Sequence, residues 1–219
     1  MTTVAGVDEA GKGAVIGSLF IAGVCIDSDS IKYLQRMALR DSKDLSRKRR
    51  ELLAMRIEKV GEVGVHEVTA EQIDELRDVI TMNDIIVRGH ARVLHNLQPD
   101  CAYVDAADVN AERFGLQVKE RSGIARILAE HNADKNHVLV SAASIIAKVR
   151  RDESIKRLES RLECNIGSGY PSDAITVNFL AQWLREHDEL PPETRKSWKT
   201  AQNLVKFGCR AMPATRNEN

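Results

Sequence analysis

Apolar positions along the chain follow two periods, a short one early and a longer one that alternates with it later. Val4 to Val7 is a brief apolar run, and Val15 to Ile26 is a longer one rich in valine and isoleucine, with glycines at 17 and 23. Two strands joined by the Gly11-Lys12-Gly13 loop are expected, since glycine clusters interrupt regular structure between apolar runs. From Leu45 the period lengthens. Leu52, Leu53, Met55, Ile57 and Val60 put an apolar face on a basic helix that Ser46 is placed to cap and Gly61 to end. Glu62 to Val68 alternates and reads as a strand, and Thr69-x-x-Gln72 has the form of a capping box for the helix that follows.

A further helix is expected over about 83 to 97, with Ile86, His90, Val93, Leu94 and Leu97 on one face and Pro99 beyond its end. The run 101 to 104, CAYV, reads as a buried strand ending in Asp105. ARILAEH, 125 to 131, fits strand or helix and leads to Asp134. From Ser141, SAASIIAKVRRDESIKRLESRLE is the strongest helical pattern, with Ala142, Ile145, Ile146, Val149 and Leu158 at helical spacing. After the GSGYPSD loop, Thr176 is placed to cap a helix ending near His187, and a last helix is expected from Ser197 to Phe207. Early strands followed by alternating helices and strands predict an α/β domain with a mixed sheet and a helical C-terminal segment. The expected boundaries are 1–173 for the main domain, 174–210 for the helical segment and 211–219 for a frayed tail.

Composition changes this picture little. The chain has 219 residues, 43% hydrophobic and 29% charged, which suits one folded core rather than a disordered chain. Lys+Arg and Asp+Glu are equal at 32 each, so any polyanion site must be a local patch. Basic residues do bunch at 43–59 and 148–161, although interleaved acids make solvated helix faces the plainer reading. Cys25, Cys101, Cys164 and Cys209 are scattered without zinc-like spacing, which points to reduced thiols in a cytoplasmic protein. No apolar stretch reaches the roughly 20 residues of a membrane span, and no secretory leader is recognisable.

Candidate chemistry lies in the carboxylates. Asp8 and Glu9 follow one apolar strand, Asp105 another, and Asp134 a third candidate, so all four can emerge at one end of one sheet. Clustered carboxylates raise one another's pKa unless a cation neutralises them. An all-oxygen donor set suits a hard divalent ion, Mg²⁺ or Mn²⁺. A pair of such ions about 3.5 to 4 Å apart can activate water and stabilise the leaving oxygen of a phosphodiester. Any one of these aspartates alone reads as a turn or cap residue; Asp27, Asp29, Asp41 and Asp44 stay in that class.

Taken together, GVDEAGKG (6–13), DSKDLS (41–46), YVDAAD (103–108), NADKNHVLVSAASIIAKVRRD (132–152) and GSGYPSD (167–173) closely resemble archaeal ribonuclease HII, the type 2 ribonuclease H family. RKSWKT (195–200) is similar to the family's C-terminal helical region. The resemblance implies a ribonuclease H-like mixed sheet flanked by helices, with a small C-terminal helical segment that helps form the substrate groove. It implies a metal-dependent endonuclease that cuts RNA in RNA/DNA hybrids, and single ribonucleotides in duplex DNA, leaving 3′-hydroxyl and 5′-phosphate ends. The family's metal carboxylates fall on Asp8, Glu9, Asp105 and Asp134. Its glycine-basic-glycine loop falls on Gly11, Lys12 and Gly13, where backbone groups meet the ribonucleotide's 2′-hydroxyl. Tyr170 matches the tyrosine that packs on the neighbouring deoxyribose. Lys43, Ser141 and Lys148 are candidate phosphate contacts, with Ser141 expected near a helix N-terminus. Binding of this kind is salt-sensitive and independent of sequence.

The chain departs from the family pattern at Ala14 and Ser18, where proline is frequent, at Asn132 for lysine, at His137-Val138 for a Tyr-Pro pair, and at Lys12 for the commoner arginine. The resemblance favours a monomer. A sliding-clamp partner is not expected, because Gln202, Val205, Gly208 and Cys209 lack paired aromatics. Two other readings remain open from sequence. An ATP-handling phosphotransferase on the same general fold lacks a G-x-x-x-x-G-K-[ST] loop, and a non-catalytic hybrid-binding module has no need of four intact carboxylates.

Overall fold

A computed structural model describes residues 2–39 and 45–208. Five strands form one mixed sheet in the order β3-β2-β1-β4-β5. The strands are β1 (Thr3–Ala10), β2 (Leu19–Asp27), β3 (Glu62–Val68), β4 (Cys101–Asp105) and β5 (Ile127–Glu130). The hairpin β1-β2 and the pair β2-β3 are antiparallel, whereas β4 and β5 join β1 in parallel. β2 is buried along nearly its whole length because helices cover both of its faces.

One face is covered by α4 (Met82–Leu97) and α5 (Ala111–Ser122), which pack on Ala5, Val7, Leu19, Ile21, Ala102 and Val104. The other face carries α2 (Arg47–Ile57) and the long α7 (Val138–Leu162) over Val4, Ala10, Ala22, Val24 and Ile26. Small residues let α7 lie directly on β1. A Cβ added at Gly6 would stand 2.3 Å from the Leu139 carbonyl carbon, so only glycine tolerates that approach. The short helices α1 (Ile31–Gln35), α3 (Ala70–Arg77) and α6 (Ala133–Asn136) fill connections. α8 (Ala174–His187) and α9 (Lys199–Gly208) complete the described chain, and a third cluster joins Leu180, Leu184, Leu190 and Ala201 to Leu158, Val15 and Ile16.

The expected elements are present with specific corrections. Ser46 does cap α2, accepting from the Arg49 N–H, and Thr69 and Gln72 do form a capping box on α3. The second strand begins only at Leu19; Ile16 instead makes an isolated bridge with Thr194. α7 starts at Val138, ahead of Ser141, so Ser141 is inside the helix. α8 is capped by Asp173, not Thr176; Thr176 is buried, its hydroxyl donating to Ile166 O and accepting from Gly169 N. The last helix starts at Lys199. ARILAEH resolves as strand β5. α5 has no counterpart among the expected elements, because its buried face rests on little more than Phe114 and Val118. The two basic segments face each other, and Arg50–Asp152, Arg150–Glu58 and Lys156–Glu51 pair across the α2–α7 contact. No helix among the described residues is long and apolar enough to cross a membrane, and Cys25, Cys101 and Cys164 are free thiols.

Candidate active site

The sheet register assembles the acidic centre. Val7 of β1 pairs with Val104 of β4, so Asp8 and Asp105 are the next residues on adjacent parallel strands. Side chains alternate along β1. Asp8 therefore faces α7, where the Ser144 hydroxyl bonds it, and Glu9 faces α4, where His90 Nε2 stands 3.2 Å from Glu9 Oε2. Asp105 Oδ1 accepts from the Ala133 N–H at 2.8 Å, and Asp8 Oδ1 accepts from the Glu9 N–H at 2.7 Å. Asp134 is not at a strand end; it lies in α6, one turn after β5, where its charge is felt by Asp105.

Contacts within the protein offset these charges in part, His90 pairing with Glu9 while Ser144 and backbone N–H groups bond Asp8 and Asp105. Burial, reinforced by Glu9 and Asp105, pushes the Asp8 carboxyl well above the usual carboxylate range despite the bonds from Ser144 and the Glu9 N–H. Burial also raises Asp105. The Ala133 N–H opposes that shift, Glu9 and Asp134 add to it, and His90 opposes it. Among the described residues no three His, Cys, Asp or Glu side chains close into a metal cage. The fit is instead to a hard dication that keeps several waters and takes only one or two carboxylates from each side. A carboxylate cluster in which the buried Asp8 and the half-buried Asp105 are both raised above the usual range is what such an ion would relieve.

The glycine loop sits beside this cluster. Gly11 has φ +94°, a left-handed value that suits glycine, and Ala14 N bonds back to Gly11 O to close the turn. The N–H groups of Lys12 and Gly13 have no partner among the described residues. Lys12 Nζ reaches Ala107 O at 2.7 Å, so this side chain tethers the loop to the segment after β4. Tyr170 faces the loop from the other side; a Cβ built on Gly13 would lie 4.0 Å from its Cε1. The Arg151 guanidinium covers the Tyr170 ring at 4.4 Å, and Val15 N donates to Gly169 O at 2.8 Å. Asp8, Glu9, Asp105, Gly11, Lys12, Gly13 and Tyr170 thus share one edge of the molecule.

Ser141 differs from expectation. It is fully buried, and its hydroxyl donates to Asp134 O and His137 O, so it braces the turn that carries Asp134 rather than facing solvent. Lys148 lies partly buried on α7, one turn beyond Ser144. Lys43 lies outside the described residues. Sequence patterns assign no role to His90, Ser144, Arg151 or Arg195. The signals they carry are a histidine in the middle of the apolar face of α4 and, for Ser144, Arg151 and Arg195, a place inside the segments that resemble the family.

The family model described as Ribonuclease HII matches residues 5–201. The chain is 55% identical over 206 residues, 93% of its own length and 98% of the relative's, to a Ribonuclease HII of Methanothrix thermoacetophila. The ribonuclease H2 of Pyrococcus horikoshii aligns with a TM-score of 0.90 at 37% identity, covering 96% of this chain and all of that one. The ribonuclease HII in the PCNA:RNase HII complex from Archaeoglobus fulgidus gives 0.84 at 42% identity over 90% of this chain and 95% of that one. That complex runs against the expectation of no sliding-clamp partner drawn from the spacing around Gln202. A ribonuclease HIII solved with Mn²⁺, 21% identical over 96% of this chain and 71% of its own, shares the fold at a TM-score of 0.83.

Proposed function

The chain belongs to the ribonuclease HII family and is an endoribonuclease H, and we propose that it cuts duplexes by metal-dependent hydrolysis on the 5′ side of a ribonucleotide, including a single one within DNA. The observation that carries this reading is the placement of Asp8, buried, and Asp105, half-buried, on neighbouring strand ends, both raised above the usual carboxylate range, beside a loop whose Lys12 and Gly13 N–H groups have no partner among the described residues.

Asp8, Glu9, Asp105 and Asp134 would hold the divalent ions, Mg²⁺ or Mn²⁺. Bound there, the ions supply activation of water and stabilisation of the leaving 3′ oxygen. The protein's own groups position the donors. The Ala133 N–H turns Asp105, Ser144 and the Glu9 N–H turn Asp8, and His90 holds Glu9. Lys12 and Gly13 offer N–H donors to the 2′-hydroxyl, the group that separates RNA from DNA. Tyr170 packs on the neighbouring sugar. Water adds to phosphorus, the bond to the 3′ oxygen breaks, and the products carry a 3′-hydroxyl and a 5′-phosphate. Family membership removes the ground for the phosphotransferase and binding-module readings.

The test is a DNA duplex with one ribonucleotide, incubated with Mg²⁺ or Mn²⁺. A single cut on the ribonucleotide's 5′ side, absent without metal and absent in Asp8→Asn, is expected. Full cleavage by Asp8→Asn, or a product ending in a 2′,3′-cyclic phosphate, overturns the reading, since the second means that the 2′-hydroxyl and not water was the nucleophile.

A further inference from the structure

Arg195 is the largest fully buried side chain of the described protein, and it makes no ion pair there. Its Nε donates to Gly17 O at 3.0 Å and its Nη1 to Lys12 O at 3.0 Å. Those carbonyls bracket the segment that follows the glycine turn. The backbone adds to the same grip: Arg195 N donates to Val15 O at 2.8 Å, Gly17 N donates to Glu193 O at 2.9 Å, and Ile16 bridges Thr194. The guanidinium stacks over the Trp198 ring at 4.9 Å, and Asp74 of α3 fixes the turn by accepting from Lys196 N, Ser197 N and the Ser197 hydroxyl.

Stability alone does not account for this residue. Nη2 is buried with no hydrogen-bond partner, and burial together with Arg151 pushes the guanidinium down to about 9, so a cation is held in the core at neutral pH. Apolar side chains of similar volume often serve a core as well or better than buried charge. What the guanidinium does uniquely is fork two donors onto two carbonyls five residues apart.

We propose that Arg195 is a positioning residue for ribose selection: by gripping Lys12 O and Gly17 O, it sets the orientation of the Lys12 and Gly13 peptide groups that meet the 2′-hydroxyl. The inference rests on the assignment of that loop to the 2′-hydroxyl made above. It makes the C-terminal segment part of the selectivity device through contacts with the loop rather than with the sugar. The carboxylates are untouched by these bonds, so selectivity and metal binding separate on mutation.

The experiment compares binding to two duplexes that differ by a single 2′-hydroxyl, in an Asp8→Asn background that holds substrate without cutting it. The Mn²⁺-induced rise in thermal midpoint is measured in parallel on proteins that retain Asp8. Arg195→Met is expected to lower the ribose-to-deoxyribose binding ratio about tenfold, the scale of a lost charged hydrogen bond, and to leave the Mn²⁺ response at the wild-type value. Arg195→Lys, with one donor point in place of a fork, falls between. Should Arg195→Met fail to fold, Trp198→Leu, which removes the ring beneath the guanidinium, carries the same expectation with a smaller loss. An unchanged ratio in a folded Arg195→Met protein, or a loss of ratio matched by loss of the Mn²⁺ response, overturns the inference. If the Arg195-containing protein itself shows no preference for ribose, the loop assignment fails instead.

Discussion

The acidic strand ends and the glycine loop adjoin in the chain, at residues 8–9 and 11–13, yet they are assembled by different means. Asp8 and Asp105 meet because two parallel strands share a register, so backbone hydrogen bonds place their carboxylates. The glycine loop has no such ladder. It is held by Lys12 to Ala107, by Gly169 to Val15 and Ile16, and by Arg195 to Lys12 and Gly17, from segments 95 to 183 residues away. A register is rigid and cheap to maintain, whereas a loop held partly by the Lys12 and Arg195 side chains can be tuned at those residues. In the proposed reading, metal chemistry would fall on the register-held part and substrate reading on the loop.

The largest effect that separates the two regions is expected from Asp8→Asn. Losing one donor to the ions removes several kcal/mol of transition-state stabilisation, so cleavage falls by about a thousandfold or more. The same substitution removes a buried charge that opposes folding. The metal-free protein should melt higher than wild type, and its Mn²⁺-induced rise in midpoint should shrink, both readable in one thermal scan.

His90→Leu comes next. The histidine is buried beside Glu9 and edge-on to Phe114, with rings 5.2 Å apart, so leucine fills the space but cannot hold the carboxylate. Loss of such a support is expected to cost about 10- to 100-fold in activity or metal affinity. Titrating cleavage against Mn²⁺ separates the two, and an unchanged curve would show that Glu9 needs no partner.

Gly11 and Gly13 sharpen the comparison within the loop. A Cβ at Gly11 meets Ser18 O at 2.8 Å and the Arg151 side chain at 3.0 Å, at a φ that alanine resists, so Gly11→Ala should destabilise by about 1–3 kcal/mol. At Gly13 the new methyl meets only the Tyr170 ring edge at ordinary contact distance. Gly13→Ala should therefore keep wild-type stability in urea titration while losing preference for ribose. Equal stability losses at both positions would contradict this division.

The smallest effects are pH-dependent and opposite in sign. Asp108, bonded by Asn110 N and Arg113, and Asp173, bonded by Ser168 N and Ile175 N, lie below the usual carboxylate range. Their stabilisation is complete above the unfolded value near about 4 and is lost as pH falls through the lower folded value. Asp8 and Asp105 are raised, so their contribution in metal-free protein is favourable at low pH and lost as pH rises through the folded value. Urea midpoints against pH should show the advantage of Asp8→Asn over wild type growing as pH rises, and the deficit of Asp108→Asn shrinking as pH falls.

Much of the fold and of the acidic centre is legible in the amino-acid sequence. Caps and capping boxes are local, so Ser46 and the Thr69–Gln72 pair can be read directly. Long periodic faces mark α4 and α7. α5 escapes such a reading because Phe114 and Val118, its two large buried apolar side chains, make no stripe. Thr176 looks like a cap because its hydroxyl's true partners, Ile166 and Gly169, belong to a loop fold that no helical pattern shows. At the His137 departure from the family pattern, the imidazole stacks on Tyr103 with ring centroids 4.1 Å apart and pairs with Glu130 at 3.0 Å. That contact fills the turn beside Asp134 in a way that no spacing argument anticipates.

By itself the sequence determined the period of most major elements, α5 excepted and β5 left between strand and helix, and the carboxylate-bearing motifs by which the family is known, because these depend on residues a few positions apart. Only the tertiary structure decided which face each carboxylate takes, that His90 and Ser144 support Glu9 and Asp8 from opposite sides of the sheet, and that Arg195 closes on the loop at Lys12. Those contacts join segments separated by tens to nearly two hundred residues, and their partners are chosen by sheet register and by the burial of whole faces, which no local pattern encodes.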